Sequence, residues 1–143
     1  MADKKNAEGY MDMTAHHALA KIEKEERTAQ KAACFRPLAY ICSPYSGDIG
    51  GNAEKARKYS RFAVDQGYIP IAPHLLFPQF ISEEYERELA LFMGGVLLGK
   101  CKEVWVFGSH ISAGMEKEIY RAGRMRKTIR YFTEGLEEAA YES

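Results

Sequence analysis

Residues 38–72 read LAYICSPYSGDIGGNAEKARKYSRFAVDQGYIPIA, and their pattern is the clearest indication of the fold class. It opens with the apolar strand Leu38–Cys42 and continues through a loop rich in glycine and serine, Ser43–Gly51. Asn52 is a residue type that caps helices, and the apolar spacing after it predicts a helix to about Gln66. A second apolar strand closes the stretch, which is therefore a βαβ unit with two parallel strands.

The rest of the chain continues this alternation of strands and helices. The predicted elements are, in chain order, a strand at 68–72, a loop bracketed by Pro73 and Pro78, a helix from Ser82 to about Lys100, a strand at 104–107, a helix from about Ala113 to Arg126, a strand at 128–132 and a short terminal helix after Gly135. Right-handed crossovers between these strands predict the order 2-1-3-4. The predicted fold is α/β: a single-domain Rossmann- or flavodoxin-like three-layer sandwich with a short parallel sheet of about four or five strands.

Residues 1–36 differ from the rest in composition, because lysine, glutamate and alanine are mixed and no glycine follows Gly9. A weak apolar stripe at helical spacing predicts a helix at 13–33 with charged residues around it. We expect an N-terminal helical arm at 1–36, packed on the body or on a neighbouring subunit, and an α/β domain at 37–143.

Composition limits the classes of partner. The 143 residues fit one domain, and 20 Lys and Arg balance 20 Asp and Glu, so charge favours neither nucleic acid nor a membrane as partner. The three cysteines lack CxxC spacing, which argues against a disulfide framework or a zinc site. The N-terminal sequence shows no signal-peptide or membrane-span pattern. We therefore expect a cytoplasmic protein with a small-molecule partner and with no metal or cofactor.

Two loops meet at one point of the predicted sheet. The strand order places a topological switch point between the first and third strands, and ligands of open α/β sheets bind beyond the strand ends at such a point. The loops delivered there are Ser43–Gly51 and Gly108–Gly114, the stretches richest in glycine and serine. Their joint position is the main physical argument for a binding site.

The first loop runs into a helix N-terminus, where backbone N–H groups can hold an anion. It matches neither the GxGxxG nor the Walker pattern, so an ordinary dinucleotide or ATP fingerprint is absent. A βα turn that uses glycine only for backbone freedom explains the composition equally well. The candidate binding residues of this loop are Ser43, Pro44, Tyr45, Ser46, Gly47 and Asp48.

The second loop leads into a helix that carries a carboxylate on the side facing the crevice. Ser112 stands at an N-cap position, Gly114 permits close approach to the backbone, and Glu118 follows in the second turn. A carboxylate fixed beside a sugar can attack its anomeric carbon and form a glycosyl ester. The alternative is a capping serine with glutamates that complement the helix dipole. Glu116, roughly 200° around the helix, is the competing carboxylate.

Three segments carry a resemblance to a known group of proteins. The pattern Ser112-x-Gly114-x-x-x-Glu118-Ile, the opening Tyr40-Ile-Cys-Ser-Pro and the segment Val104-Trp-Val-Phe-Gly108 resemble the nucleoside 2-deoxyribosyltransferase-like superfamily. That group includes base-exchanging transferases and hydrolases of nucleoside monophosphates. The sequence is most similar to a bacterial and phage branch with Cys-Ser-Pro-x-x-Gly-Asp, Ala-Pro-His and Ser-x-Gly-Met segments.

The resemblance implies an N-glycosidase that cleaves or transfers the base–sugar bond of a nucleoside or nucleotide. Glu118 matches the nucleophilic glutamate, and Tyr40 matches a tyrosine that lines the site. Ser112 matches a position that is serine in the hydrolases, where it contacts phosphate, and aspartate in the transferases. This favours a nucleotide as ligand and hydrolysis as the reaction. It also implies a homo-oligomer with sites near subunit contacts. The remaining candidate binding residues are His74, His110, Gly114 and Met115.

One departure bears on catalysis. The superfamily enzymes place an aspartate near the leaving base, whereas the matching position here falls near Gly94, in a stretch without a carboxylate. Candidate proton donors elsewhere are His110, Asp48, His74, Glu86 and Glu88. The alternative function is a non-catalytic protein that sequesters or senses a nucleotide-derived ligand, and a further alternative is a partner-binding domain whose loops are only turns.

Two further groups of residues have two interpretations each. Three residues after the second strand form either an aromatic slot for a base or a plug at the sheet edge: Phe77, Pro78 and Phe80. Four arginines form either a phosphate patch or an ordinary solvated helix face: Arg121, Arg124, Arg126 and Arg130.

Overall fold

The computed structural model describes residues 9–33 and 35–139, which fall into two units divided between Phe35 and Arg36. The first unit consists of the helix α1, Gly9–Ala33, which begins earlier than the helix predicted at 13–33. Its side chains from Thr14 to Gln30 are exposed. This exposure is expected where charged residues surround a weak apolar stripe.

The second unit is built on a five-stranded sheet with the order β2-β1-β3-β4-β5. Its strands are β1 (Leu38–Cys42), β2 (Ile69–Ile71), β3 (Glu103–Phe107), β4 (Thr128–Phe132) and β5 (Glu138–Ala139). The first four pair in parallel, and β5 pairs antiparallel with β4. Pro70 lies in β2 at one edge, where a missing N–H donor is tolerated. The predicted order 2-1-3-4 is confirmed, with one strand added.

Helices cover both faces of this sheet. They are α2 (Ile49–Asp65), the single turn α3 (Pro73–Leu76), a 3₁₀ turn (Phe77–Gln79), α4 (Arg87–Lys100) and α5 (Ala113–Arg124). Buried residues of α2 pack on one face, and those of α4 and α5 pack on the other. The predicted α/β fold of Rossmann or flavodoxin type, with three layers, is confirmed.

Successive side chains of β1 and β3 enter two separate cores, because a strand points its residues alternately to opposite faces. The face toward α2, here called the aromatic face, holds Ala39, Ile41, Tyr59, Ala63, Trp105, Phe107 and Phe132. The face toward α4 and α5, here called the site face, holds Tyr40, Cys42, Leu98, Cys101, Val104, Val106, Met115 and Ala122. Both faces are closed to water, as expected for parallel strands.

The predicted start of α2 is wrong. The helix begins at Ile49, and the side chain of Asp48 caps it by accepting a hydrogen bond from the N–H of Gly51 at 3.1 Å. A Cβ at Gly51 would lie 2.2 Å from Asp48 Oδ2, so glycine is what lets the carboxylate reach the helix end. Asn52, the expected cap, instead donates from Nδ2 to the Tyr45 carbonyl at 3.2 Å.

Two other elements differ from the sequence prediction, one in its first residue and one in its type. The helix expected from Ser82 starts at Arg87, because Ser82 organises a turn in which its Oγ accepts from the Tyr85 N–H at 3.2 Å. The short helix expected after Gly135 is absent from the described residues, where β5 occupies that place. A turn with Leu136 at φ 71° folds the chain back onto β4 and forms a hairpin.

Candidate functional site

A cavity of about 460 Å³ opens beyond the carboxyl ends of β1 and β3. This is the switch point of the sheet, where the loops after these two strands diverge. The predicted site residues that line it are Tyr40, Ser43, Tyr45, Ser46, His74, Ser112, Gly114, Met115 and Glu118. The structure therefore brings most of both predicted loops to one concave surface.

Glu118 is held in this cavity by two side chains of β1. The hydroxyl of Tyr40 donates a hydrogen bond to Glu118 Oε2, and the thiol of Cys42 lies 3.5 Å from Oε1. Tyr40 and Cys42 are two residues apart on a strand and so share one face. The register of β1 thus aims both donors at α5, and both carboxylate oxygens are fixed.

Burial governs the ionisation of this group. Desolvation raises the pKa of Glu118, while hydrogen bonds from Tyr40 and Cys42 and the positive charge of Arg121 oppose the rise. The pKa of Tyr40 is raised by burial and by the adjacent carboxylate, and the pKa of Cys42 is raised for the same reasons. Both donors therefore keep their protons at neutral pH, and the carboxylate is the group that ionises.

Two serines stand at the polar end of the cavity. Ser112 caps α5, and its Oγ accepts from the N–H of Met115 at 3.3 Å. Ser43 is 2% exposed, and its hydroxyl finds no hydrogen-bond partner among the described residues. A buried hydroxyl left unpaired is unusual, and a ligand oxygen beside it would satisfy it. The N-terminus of α5 adds the positive end of its dipole to the same region.

Positive side chains outnumber negative ones around the cavity. The cations are Arg87, Lys117 and Arg121, and the carboxylates are Glu83 and Glu118. The guanidinium of Arg121 lies directly over Gly95, where an added Cβ would be 2.0 Å from its Nη1, so glycine leaves room for it. The cavity therefore favours an anionic ligand beside the nucleophile candidate.

The side chains of His74 and Tyr45 form an aromatic part of the cavity wall. The rings of His74 and Tyr45 stack with centroids 4.8 Å apart and planes inclined by 24°. Burial lowers the pKa of His74, and hydrogen bonding to the backbone of Ser43 partly opposes that shift. Phe77 and Pro78 also line the cavity, whereas Phe80 does not and is 64% exposed.

Four predicted site residues lie outside the cavity lining: Pro44, Gly47, Asp48 and His110. Asp48 has a structural role as the α2 cap, and Gly47 has φ 94°, a backbone conformation that suits glycine. His110 is exposed in the loop before α5. The competing carboxylate Glu116 lies in a larger, shallower groove along the outer face of α5, away from Tyr40 and Cys42.

Sequence reasoning missed several cavity residues that simple periodicity locates. Cys42 follows Tyr40 by two positions on a strand, and Arg121 follows Glu118 by three on a helix, so each pair shares one face. The sequence leaves Arg121 open between a phosphate patch and a solvated helix face, and in the structure it borders the cavity. Glu83, in the turn before α4, and Arg87, the first residue of α4, also line the cavity. No local sequence pattern predicts the path of that turn.

Within residues 9–33 and 35–139, the structure contains no group of three or more His, Cys, Asp or Glu side chains arranged to hold a metal ion. None of the helices in that part of the chain has the length and apolar character needed to cross a bilayer.

Comparison with known proteins gives a family and a fold. The model of the family described as "Domain of unknown function (DUF7768)" matches residues 37–132, so the chain belongs to that family. A 2-deoxyribosyltransferase from Bacillus psychrosaccharolyticus aligns with 17% identity and a TM-score of 0.51, covering 74% of this chain and 86% of that one. A 2-deoxyribosyltransferase from Leishmania mexicana aligns with 13% identity and a TM-score of 0.50, covering 73% and 79%. These likenesses establish a shared fold. None of the curated proteins matches the chain significantly.

Proposed function

We propose that this member of the DUF7768 family is an N-glycosidase that hydrolyses the base–sugar bond of a nucleotide, with Glu118 as its nucleophile. The observation that carries the proposal is the setting of Glu118 in the cavity wall, with Tyr40 on one carboxylate oxygen and Cys42 beside the other. Two fixed oxygens beside an open cavity suit a carboxylate that attacks carbon rather than one that only caps or pairs.

The reaction would proceed in two steps. An Oε atom of Glu118 bonds to the anomeric carbon as the bond to the base breaks and its electron pair leaves with the base nitrogen. Water then attacks the same carbon, and Glu118 departs as a carboxylate. Two displacements retain the configuration of the sugar. Tyr40 and Cys42 keep the attacking oxygens aligned during both steps.

A phosphate on the substrate accounts for the polar end of the cavity. The unpaired Ser43 hydroxyl, the Ser112 cap and the N-terminus of α5 are hydrogen-bond donors to an oxyanion. Arg87, Lys117 and Arg121 add positive charge around the same opening. These groups favour a nucleoside monophosphate over a free nucleoside.

The structural neighbours that are 2-deoxyribosyltransferases share the fold and support sugar–base chemistry as the reaction class. We favour hydrolysis over transfer because serine, not a carboxylate, stands at position 112. Exposed apolar side chains on α4, among them Leu91 and Phe92, suit the homo-oligomer that the resemblance implies. A cytoplasmic location stays a prediction.

The test is release of free base. Purified protein is incubated with ribonucleoside and 2′-deoxyribonucleoside 5′-monophosphates and with the matching nucleosides, and free base is measured by chromatography. We expect release from at least one monophosphate, and a loss of roughly a thousandfold or more in Glu118→Gln. Glu116→Gln, on the outer side of the same helix, should retain the activity. Equal release by the Glu118→Gln protein would contradict the assignment.

A second function is favoured by one observation, the glycine at position 94. A Cβ there would meet only the Tyr40 hydroxyl, at 3.8 Å, so the position has room for a Cβ atom, yet it carries no side chain that could assist the leaving base. A protein that captures a nucleotide without cleaving it would use the same cavity. In that case a nucleotide raises the melting temperature, no base appears, and the ligand is recovered intact after denaturation.

A further inference from the structure

We propose that His74 is the catalytic residue that gives a proton to the departing base. The inference rests on the proposed function, since it assigns a second role in the same reaction. It supplies the group that the chain lacks at Gly94, where no carboxylate is available to assist the leaving base. No residue beyond those of the cavity is required.

The structure selects His74 from the proton donors that the sequence offered. Among His110, Asp48, His74, Glu86 and Glu88, all within the described part of the chain, only His74 lines the cavity. Asp48 caps α2, and Glu86 accepts a hydrogen bond from a backbone N–H of the turn before α4. His110 and Glu88 are exposed.

Glu83 is the other carboxylate that borders the cavity, and it is a poorer donor. Its Oε1 lies 3.4 Å from Arg87 Nη1, and its side chain is 52% exposed. A carboxylate held in an ion pair has no proton to give. The imidazole of His74 is half-buried in the cavity wall and has no ion-pair partner among the described residues, so it is free to carry a proton toward a bound ligand.

The surroundings of His74 orient it for this task. Its ring stacks on Tyr45, which creates a flat aromatic wall of the kind on which a base packs. The backbone of Ser43 interacts with the imidazole, which partly opposes the lowering of the pKa of His74 by burial. Pro73, buried and at the start of α3, fixes the backbone immediately before it.

The proton balance closes without any further reactant. In the first step protonated His74 donates to the base as the C–N bond breaks, and it becomes neutral. In the second step neutral His74 takes the proton of the attacking water. The products are the free base with its hydrogen and the sugar with a new hydroxyl, and His74 ends protonated as it began.

The pH dependence follows from the groups that border the cavity. These are Tyr40 on β1, Tyr45 on the loop after it, Glu83 in the turn before α4, Arg87 at the start of α4, and Lys117, Glu118 and Arg121 on α5. Glu118 must be ionised and burial raises its pKa, whereas His74 must be protonated and burial lowers its pKa. Turnover should therefore peak in a narrow, weakly acidic window and fall on both sides.

The experiment compares two leaving groups on one sugar phosphate. The wild-type protein, His74→Gln, His74→Ala and the control His110→Ala are assayed with the nucleoside monophosphate that the wild type cleaves best and with the 4-nitrophenyl glycoside of its sugar phosphate. Nitrophenolate leaves without a proton, so only the natural base needs the acid. In the first, bond-breaking step, measured as kcat/KM, we expect both His74 variants to lose about a hundredfold or more on the nucleotide and less than about tenfold on the glycoside. The second step is common to both substrates and should slow equally for both in these variants. The alkaline limb of the pH profile should disappear in both variants.

The outcomes separate the two proposals. Retained cleavage of the glycoside shows that each variant is folded. Equal losses of kcat/KM on both substrates, or an unchanged alkaline limb in the pH profile of kcat/KM, would overturn the role of His74 and leave Glu118 as nucleophile. Absence of cleavage of either substrate by the wild-type protein would overturn the proposed function, and the role of His74 with it.

Discussion

The two faces of the sheet are built from the same strands but differ in chemistry. On the aromatic face the ring of Phe107 stacks between two others: its centroid lies 4.2 Å from that of Tyr59 and 5.0 Å from that of Phe132. Trp105 lies beside Phe132. The site face, in contrast, combines aliphatic and sulfur-containing side chains with the Tyr40 hydroxyl, the Cys42 thiol and Glu118. Alternate residues of β1 and β3 thus have different roles, packing on the aromatic face and formation of the cavity on the site face.

One short strand can therefore stabilise the fold with one face and hold site residues on the other. Aromatic burial on one face contributes roughly 1.5–3 kcal/mol per large side chain. That stabilisation allows the other face to tolerate an unpaired hydroxyl at Ser43 and a desolvated carboxylate at Glu118. If the comparison holds, substitutions on the aromatic face lower stability, and substitutions on the site face change turnover or its pH dependence.

The largest effect on stability is expected from Phe107→Ala. Removing a buried aromatic ring and leaving a cavity lowers the free energy of unfolding by about 3–5 kcal/mol. Denaturant unfolding measures the loss, and Phe107→Leu provides a milder variant if the alanine protein does not fold. A loss under about 1 kcal/mol in Phe107→Ala would show that the aromatic face is not the stabilising one.

Next in size is the effect of Tyr40→Phe on turnover. Loss of a hydrogen bond to a charged group, about 1.5–3 kcal/mol, predicts a roughly tenfold to hundredfold slower reaction. The acid limb of the pH profile should also move to higher pH, because donation from Tyr40 lowers the pKa of Glu118. Tyr59→Phe removes a hydroxyl from a buried tyrosine on the aromatic face and should leave both quantities unchanged. Similar profiles for the two variants would remove the distinction between the faces.

Glu118→Gln should raise stability while it abolishes turnover. The folded-state pKa of Glu118 is raised, so the folded protein holds this proton more tightly than the unfolded chain does. The contribution of the group to stability is then complete below its unfolded pKa and is lost as pH rises through its folded pKa. At neutral pH the glutamine variant should melt a few degrees higher, and the gap should close as pH falls. The Glu116→Gln protein should show no such gap, and a gap that widens on acidification contradicts the account.

The smallest effect concerns the two buried thiols of the site face. Cys42→Ala removes the contact with Glu118, and a weak S–H donor predicts only a severalfold slower reaction. Cys101 instead donates its thiol to the Leu97 carbonyl, 3.3 Å away in the last turn of the preceding helix α4, so Cys101→Ala should not alter turnover. The turnover rates of the Cys42→Ala and Cys101→Ala proteins test this difference. Equal rates for the two variants would limit Cys42 to a packing role.

The fold was predictable from the sequence because its signals are local. Alternating apolar strands and capped helices gave β1, β4, the Ser112 cap and the strand order. The errors lie where a side chain competes for a backbone group. Asp48 caps α2 where the sequence predicted Asn52. A turn at Leu136 leads into the strand β5, where the sequence predicted a helix.

The candidate site was only partly predictable, for a related reason. Topology and helix spacing indicate Ser112 and Glu118 from the sequence, whereas Tyr40 as a residue that lines the site follows only from the family resemblance. Contributions from the α3 segment and the turn before α4 depend on how an irregular stretch crosses the sheet end. That path decides that His74 lines the cavity and that His110 does not, although both seemed equal in sequence.

The most direct test of the central claim is to trap the bond between Glu118 and the sugar. Protein mixed with the nucleoside monophosphate that it cleaves is quenched in acid within one turnover, digested and analysed by peptide mass spectrometry. We predict a mass increase equal to the sugar phosphate on the peptide that contains Glu118, and its absence in Glu118→Gln. Base release by a protein that carries no adduct, or one that carries it on another residue, would contradict Glu118 as the nucleophile.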